Sequence, residues 1–251
     1  MSQTILITGA SSGLGLAFTK HYTSQPSTRT IIAVDHERFP TENYFDDVGY
    51  TPGLLHFHRL DITYSLDFEI VPDLIGDTPV HLIIHCAGIR GLVPDIVEED
   101  KGDVAAAETL EVMDKQTMLK TFETNTWGTF NVIRSFLPNL KLAAKENQQP
   151  KVIILSSRMG SISSNDGGGG YAYRASKAAL NAVVKSFSVD VPDVMFLLLH
   201  PGRVETGLVQ WREEGAISVE ESVRDCLKVI EGLGRKESGD FVDRFGERID
   251  W

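Results

Sequence analysis

Cysteine, clustered basic residues and long apolar runs are what this chain has least of. Its 251 residues include 2 cysteines, Cys86 and Cys226. Both sit in apolar surroundings, which argues for free buried thiols and against a disulfide framework or a thiolate metal site. No apolar run reaches membrane-spanning length. Met1-Ser2-Gln3-Thr4 leads directly into a strand-like segment without a basic region or cleavage site, so a cytoplasmic protein is expected. Positive charge is in deficit, with 24 Lys and Arg against 35 Asp and Glu and a formal net charge of −11. No Lys/Arg cluster offsets that balance, which excludes nucleic acid and anionic membrane surfaces as expected partners. Repeats at solenoid spacing are also missing. The rest is ordinary for a globular chain, and the length suits one α/β unit with a large core.

What is present begins at the N-terminus. Thr4-Ile5-Leu6-Ile7 reads as a short buried strand, Thr8-Gly9-Ala10-Ser11-Ser12-Gly13-Leu14-Gly15 as a glycine turn, and Leu16, Ala17 and Tyr22 as one face of a helix. Strand, glycine turn and helix in that order form a phosphate cradle. Glycine lets the backbone approach closely, and the helix N-terminus offers unpaired N–H groups to a pyrophosphate. A plain surface turn would show similar glycines; the strand and helix around these favour the cradle. The next apolar run, Ile31-Ile32-Ala33-Val34, ends in Asp35. A carboxylate there can accept hydrogen bonds from ribose hydroxyls and would repel a 2′-phosphate, which favours NAD over NADP. His36 and Arg38 follow closely, and a cation beside this position can instead pair with the extra phosphate. The bland alternative is that Asp35 holds a turn.

Leu54 to Leu60 reads as a third strand ending in Asp61-Ile62, and Val80 to His85 as a fourth ending in Cys86-Ala87-Gly88, small residues against which a flat ligand can lie. His56, His58, His81 and His85 lack companion ligand spacing and are expected to fill strands rather than bind metal. Residues 90–114 contain Pro94, Asp95, Glu98, Glu99, Asp100, Gly102 and Asp103, show no apolar period until Val104, and read as an acidic surface connection. From Met118 a helical pattern runs through Phe122, Asn125, Phe130, Ile133 and Phe136 and is predicted to stop near Pro138. Asn125 is a poor helix former in apolar company, which suggests a buried amide with a specific partner over a solvated side chain.

Val152-Ile153-Ile154-Leu155 reads as a buried strand leading to Ser156-Ser157. A helix carrying Tyr173 and Lys177 on one face follows, one turn apart. A free phenol has a pKa of ~10; lowering it by about three units needs roughly 4 kcal/mol. One cation about 4 Å away supplies roughly that at an effective dielectric of about 20. The bland alternative is a half-buried aromatic beside a snorkelling amine. The Gly167-Gly168-Gly169-Gly170 run just ahead of the tyrosine reads as a mobile flap. Val194 to His200 forms another strand, followed by Pro201-Gly202-Arg203-Val204-Glu205-Thr206. A last helix starts at a Ser218/Glu221 capping box and ends at Gly232 and Gly234, and the tail can add an edge strand. Alternation of strands and helices predicts a single Rossmann-type, doubly wound parallel sheet with helices on both faces, and ligands beyond the carboxyl ends of its strands.

Together, Thr8-Gly9-x3-Gly13-x-Gly15, Asp61, Cys86-Ala87-Gly88, Asn125, Ser157, Tyr173-x3-Lys177 and Pro201-Gly202-x-Val204-x-Thr206 resemble the short-chain dehydrogenase/reductase family from end to end. Within it, the Tyr173–Asn181 stretch and the Asp-Trp tail look like the branch of sniffer-type carbonyl reductases and C-factor-like signalling proteins. The resemblance implies an oxidoreductase that moves hydride between a nicotinamide dinucleotide and a small carbonyl or alcohol. By it, Tyr173 is the general acid/base, Lys177 lowers the pKa of Tyr173 and holds the nicotinamide ribose, Ser157 contacts the reacting oxygen, and Asn125 holds a relay water. Gly9, Ser11, Ser12, Gly13, Leu14, Gly15, Asp35, Asp61, Ile62, Cys86, Ala87, Gly88, Pro201, Gly202, Val204 and Thr206 would contact the cofactor along with Tyr173 and Lys177. It also implies a homodimer or homotetramer formed through the helices carrying Asn125 and Tyr173. Two departures stand out: His85-Cys86 where the family shows Asn-Asn, and a longer serine-to-tyrosine gap. Leu92, Arg158, Met159, Leu208 and Trp211 are candidate pocket liners. Arg158 is a candidate for an anionic substrate group, or else an ordinary surface arginine.

Overall fold

The computed structural model describes residues 3–40, 54–64, 75–99, 103–146, 148–209 and 213–251. Its strands are β1 (Gln3–Thr8), β2 (Thr28–Asp35), β3 (Leu55–Arg59), β4 (Leu82–His85), β5 (Lys151–Leu155), β6 (Met195–His200) and β7 (Asp240–Asp243). They form one 7-stranded sheet in the order β3-β2-β1-β4-β5-β6-β7, every neighbouring pair parallel. The helices are α1 (Gly13–Thr23), α2 (Pro94–Glu99), α3 (Lys115–Phe122), α4 (Gly128–Lys145), α5 (Tyr171–Asp190) and α6 (Val219–Gly232).

The central strands are continuously apolar because both of their faces are covered. Successive side chains point to opposite sides. Leu6, Ile32, Ile83 and Val152 therefore pack with Val132, Phe136 and Leu180 of α4 and α5. Ile5, Ile7, Ile31, Ile84 and Ile153 pack with Phe18 of α1 and with Cys226 and Ile230 of α6. Strand order reverses between β1 and β4, and such a switch point opens a crevice beyond the strands' carboxyl ends.

Three local expectations are corrected. The helix predicted to stop at Pro138 continues to Lys145 with that proline inside it. Proline removes one intrahelical bond, but Leu140 beyond it is fully buried in the core, and the Asn139 Nδ2 donates to the carbonyls of Gly76 at 2.8 Å and Thr78 at 2.9 Å. Tertiary packing overrides the local stop signal. The predicted surface connection over 90–114 contains α2 and a short 3₁₀ turn, Ala106–Glu108, whose Ala107 is fully buried. At Ser218, only half of the capping box forms: Ser218 Oγ accepts from Glu221 N at 3.1 Å, while the Glu221 carboxylate meets Arg244 at 2.8 Å. The tail does add an edge strand, β7, beside β6. No helix among the described residues is long and apolar enough to cross a membrane.

Of the strand histidines, His81 and His85 fill the core, whereas on the edge strand β3 His56 is exposed and His58 half-buried. His81 Nδ1 accepts from Thr4 N at 3.0 Å. His85 is a strut: its Nδ1 lies 2.8 Å from Thr8 Oγ1 and its Nε2 2.9 Å from Thr129 Oγ1. Because the Thr129 hydroxyl donates to the Asn125 carbonyl at 2.7 Å, the His85 proton belongs on Nε2, and Nδ1 accepts from Thr8. Burial pushes the imidazole down to about 3 from 6.5. Between those values the unfolded chain binds one more proton than the folded one, so stability is lost as pH falls from about 6.5 at up to about 1.4 kcal/mol per pH unit. A His85→Gln variant, which can still bridge both threonines, is expected to flatten that slope between pH 6.5 and 5. Urea unfolding measured across that range checks it.

Candidate active site

The switch-point crevice is built from backbone. Gly9, at a φ of 65°, closes the turn after β1, and a Cβ there would lie 2.8 Å from the Ala87 nitrogen at the end of β4. A Cβ on Gly15 would overlap the Gly9 carbonyl oxygen. The two strand ends thus meet with no space for side chains. Ser12, which precedes α1, makes no side-chain cap bond, so the first-turn N–H groups keep their capacity for an anion. Above this cradle lies a cavity of about 440 Å³. Of the expected cofactor contacts, Gly9, Ser12, Gly13, Leu14, Gly15, Asp35, Asp61, Ile62, Cys86, Ala87, Gly88, Tyr173, Lys177, Pro201 and Thr206 line it. Gly202 and Val204 line instead an adjoining cavity of about 360 Å³. Ser11 lines neither, because it faces Asp35: its N and Oγ donate to Asp35 Oδ2 at 2.9 and 2.6 Å. The Asp35 Oδ1 is 3.0 Å from His36 Nδ1. Asp35 therefore clamps the glycine turn while its charge borders the crevice. These residues fit a dinucleotide: a bare backbone cradle, an uncapped helix end and a carboxylate at the far rim.

At the other end, the two cavities meet at Tyr173, which lines both. Ser157 lines the smaller cavity with it and favours its ionised form; Ser157 Oγ accepts from Met159 N at 3.2 Å. Ser156 turns the other way, donating to Asn181 Oδ1 at 2.7 Å. Lys177 is buried, its Nζ donating to the Leu155 carbonyl at 3.0 Å and lying 5.7 Å from the Tyr173 ring centroid. Asn125 lies in a π-helical turn, Glu123–Trp127, between α3 and α4, a distortion that recurs at functional sites. Its Nδ2 donates to Ile89 O at 2.8 Å and Ser176 Oγ at 2.9 Å, and its Oδ1 accepts from Ile89 N at 2.8 Å. Both amide hydrogens are engaged, which leaves one acceptor position on Oδ1 for a water. The side chain ties the loop after β4 to α5.

A family model described as short chain dehydrogenase matches residues 3–216. The chain belongs to the short-chain dehydrogenase family. It is 37% identical over 175 residues to C-signal of Myxococcus xanthus, a match covering 69% of this chain and 93% of that protein. It is 36% identical over 198 residues to 1-hydroxy-2-glutathionyl-2-methyl-3-butene dehydrogenase of Rhodococcus sp., covering 76% and 78% of the two chains. The fold superposes on the carbonyl reductase Sniffer of D. melanogaster with a TM-score of 0.83 at 30% identity, covering 100% of both. An NADPH-bound carbonyl reductase from chicken fatty liver gives 0.83 at 27% identity over 100% of this chain and 99% of the other.

In this short-chain dehydrogenase the electrostatics around the phenol differ from the expectation. Burial raises the Tyr173 pKa above its ordinary value, and the charge that opposes this most is Arg90, with the Ser157 hydroxyl behind it. Lys177 is itself pushed down to about 8 by burial. The Arg90 guanidinium stands 5.0 Å from the Tyr173 ring centroid and forks onto Glu108 at 2.9 and 2.8 Å. Sequence reasoning missed both residues. Arg90 falls two positions after the strand-end Cys-Ala-Gly, a placement that could have flagged it; Glu108 lay in the stretch read as surface. The glycine run is a formed loop, with Gly168, Gly169 and Gly170 at φ 63°, 62° and 59°, and Gly170 N donates to Glu108 O at 3.0 Å. That geometry is closed to most other residues, and it leads directly into α5. Among the candidate liners, Arg158, Met159 and Leu208 border the smaller cavity and Leu92 a third one outside it; Trp211 lies outside the described residues. Among those residues no three His, Cys, Asp or Glu gather as metal ligands.

Proposed function

We propose that this chain is an NAD(P)-dependent oxidoreductase interconverting an alcohol and its ketone or aldehyde, with NAD(H) preferred. The observation that carries this reading is the placement of Tyr173 at the junction of the two cavities, with Ser157 on the wall beside it. A nicotinamide dinucleotide, when bound, supplies or accepts the hydride. Tyr173 gives its phenol proton to the carbonyl oxygen in reduction and takes it back in oxidation. Ser157, beside it, orients that oxygen. Lys177, donating to Leu155 with one of its three N–H groups, directs the others toward the crevice and the ribose hydroxyls. Asn125 keeps the loop after β4 and α5 in register and offers Oδ1 to a relay water.

A phenol whose pKa is raised stays protonated at neutral pH and so is ready as an acid, which favours reduction there. Oxidation needs the phenolate and should quicken as pH rises. The solved relatives named as carbonyl reductases agree in kind. The similarity to C-signal supports a second reading, a dinucleotide-bound signalling protein without turnover, against which the assembled Ser157, Tyr173 and Lys177 weigh. Exposed Leu119 and Phe122 on α3 support self-association on this side of the molecule.

Purified protein screened with NAD and NADP against a panel of alcohols and ketones is expected to turn over, with tighter binding of NAD; affinity without absorbance change would favour the signalling reading. The carboxylate of Asp35 supports the NAD preference. Asp35→Asn keeps an acceptor for Ser11 and removes the charge, and should move the NADP/NAD affinity ratio toward NADP by about tenfold, roughly 1.4 kcal/mol. A wild-type ratio already favouring NADP would overturn that preference.

A further inference from the structure

The smaller cavity, beside Tyr173, has the opposite charge from the molecule around it. In a chain of net charge −11, its wall carries, among the described residues, Arg90, Arg158, Arg174 and Arg203 against one carboxylate, Glu213. The four arginines come from four separate places: the loop after β4, the turn after β5, the first turn of α5 and the loop after β6. Only the fold brings them together.

Their partners differ. Arg90 is matched by Glu108 in a two-bond pair and adds little net charge. Arg158 reaches Asp243 through one nitrogen at 3.4 Å. Arg174 Nε donates to the Gly169 carbonyl at 3.1 Å, and Arg203 Nη1 donates to the Glu214 carbonyl at 2.9 Å. Among the described residues neither Arg174 nor Arg203 meets a carboxylate. A guanidinium has five N–H donors in a planar fork, so each keeps unused N–H groups, and a fork matches a carboxylate two bonds at a time. His200, also on this wall, is held neutral by burial and adds no charge of its own.

Resting on the oxidoreductase reading above, we propose that the alcohol or carbonyl substrate carries a carboxylate, held by Arg158, Arg174 and Arg203 while its reacting carbon faces Tyr173 and Ser157. The cavity, about 360 Å³, suits a small oxo- or hydroxyacid or the acidic end of a longer conjugate. Glu213 would attract a cationic group, but the three arginines outweigh it, and the balance disfavours an amine.

Two matched pairs test this, 4-carboxybenzaldehyde with methyl 4-formylbenzoate and 4-oxobutanoate with its methyl ester, assayed with NADH and NADPH. The acids are expected to exceed their esters in kcat/KM by about tenfold, mainly through KM, as a charge-assisted contact would give. The advantage should shrink in 0.5 M NaCl. The double variant R174Q/R203Q should bring each pair to equal kcat/KM. Esters reduced as well as or better than acids by the wild type would overturn the inference and leave the oxidoreductase reading intact. If no carbonyl or alcohol reacts, that reading falls, and a calorimetric titration of NAD-saturated protein decides the anion inference by itself. It compares 4-(hydroxymethyl)benzoate with 4-(hydroxymethyl)benzamide. Tighter binding of the benzoate, lost in R174Q/R203Q, supports the carboxylate site; equal binding refutes it.

Discussion

Tyr173→Phe is expected to lower kcat by about 10²–10⁴ while leaving dinucleotide affinity nearly unchanged, the loss a positioned general acid accounts for. The substitution removes one oxygen from a residue that is 7% exposed. The ring stays, so Arg90 keeps its place 5.0 Å from the centroid and the wall between the cavities keeps its shape. What disappears is the hydroxyl that carries the proton. Stability should therefore move little, and fluorescence titration with NAD should match the wild type. The pH dependence sharpens the test: wild-type reduction should hold through neutral pH and decline in the alkaline range as the phenol ionises, and oxidation should do the reverse. Residual turnover of Tyr173→Phe should lose that opposition. Turnover at the wild-type rate would remove Tyr173 from the chemistry.

Gly15→Ala is expected to weaken dinucleotide binding on the order of a hundredfold, about 3 kcal/mol, the upper range for overpacking a tight contact. The new Cβ would fall on the Gly9 carbonyl oxygen. That oxygen belongs to the backbone and cannot swing aside as a side chain can, so the whole turn must move, and Gly9 is already pressed against Ala87. Opening this contact widens the crevice where the two strand ends meet and disturbs the first turn of α1. Gly167→Ala is the control, since nothing lies within 4 Å of its would-be Cβ. Calorimetric titration with NAD and thermal unfolding of both variants check the prediction. NAD binding to Gly15→Ala with wild-type affinity would show that the cradle is elsewhere.

Much of this was visible in the chain itself, because its signals are local. The runs Ile5-Leu6-Ile7, Ile31 to Val34 and Val152 to Leu155 are apolar at every position, which is what strands covered on both faces require. Glycine at Gly9, Gly13 and Gly15 between a strand and a helix marks the turn, and four-residue spacing puts Tyr173 and Lys177 on one helical face. Choosing Ser157 over Ser156 rested on resemblance, and the fold separates the two: Ser157 faces the phenol, and Ser156 faces Asn181.

Other features depended on distance in sequence. Pro138 carries a stop signal that packing of Leu140 overrides. Glu108 looked like one acid among many until the fold placed it under Arg90. Lys177 has the right spacing, but its Nζ is engaged by Leu155, so the cation nearest the phenol ring is Arg90.

The amino-acid sequence by itself determined the alternation of elements, the parallel sheet and the glycine turn, since hydrophobic period and backbone freedom act over a few residues. Only the tertiary structure decided which charges face the phenol and that arginines from four loops and turns share one wall, because electrostatic energy depends on separation in space and on burial, neither of which chain order records.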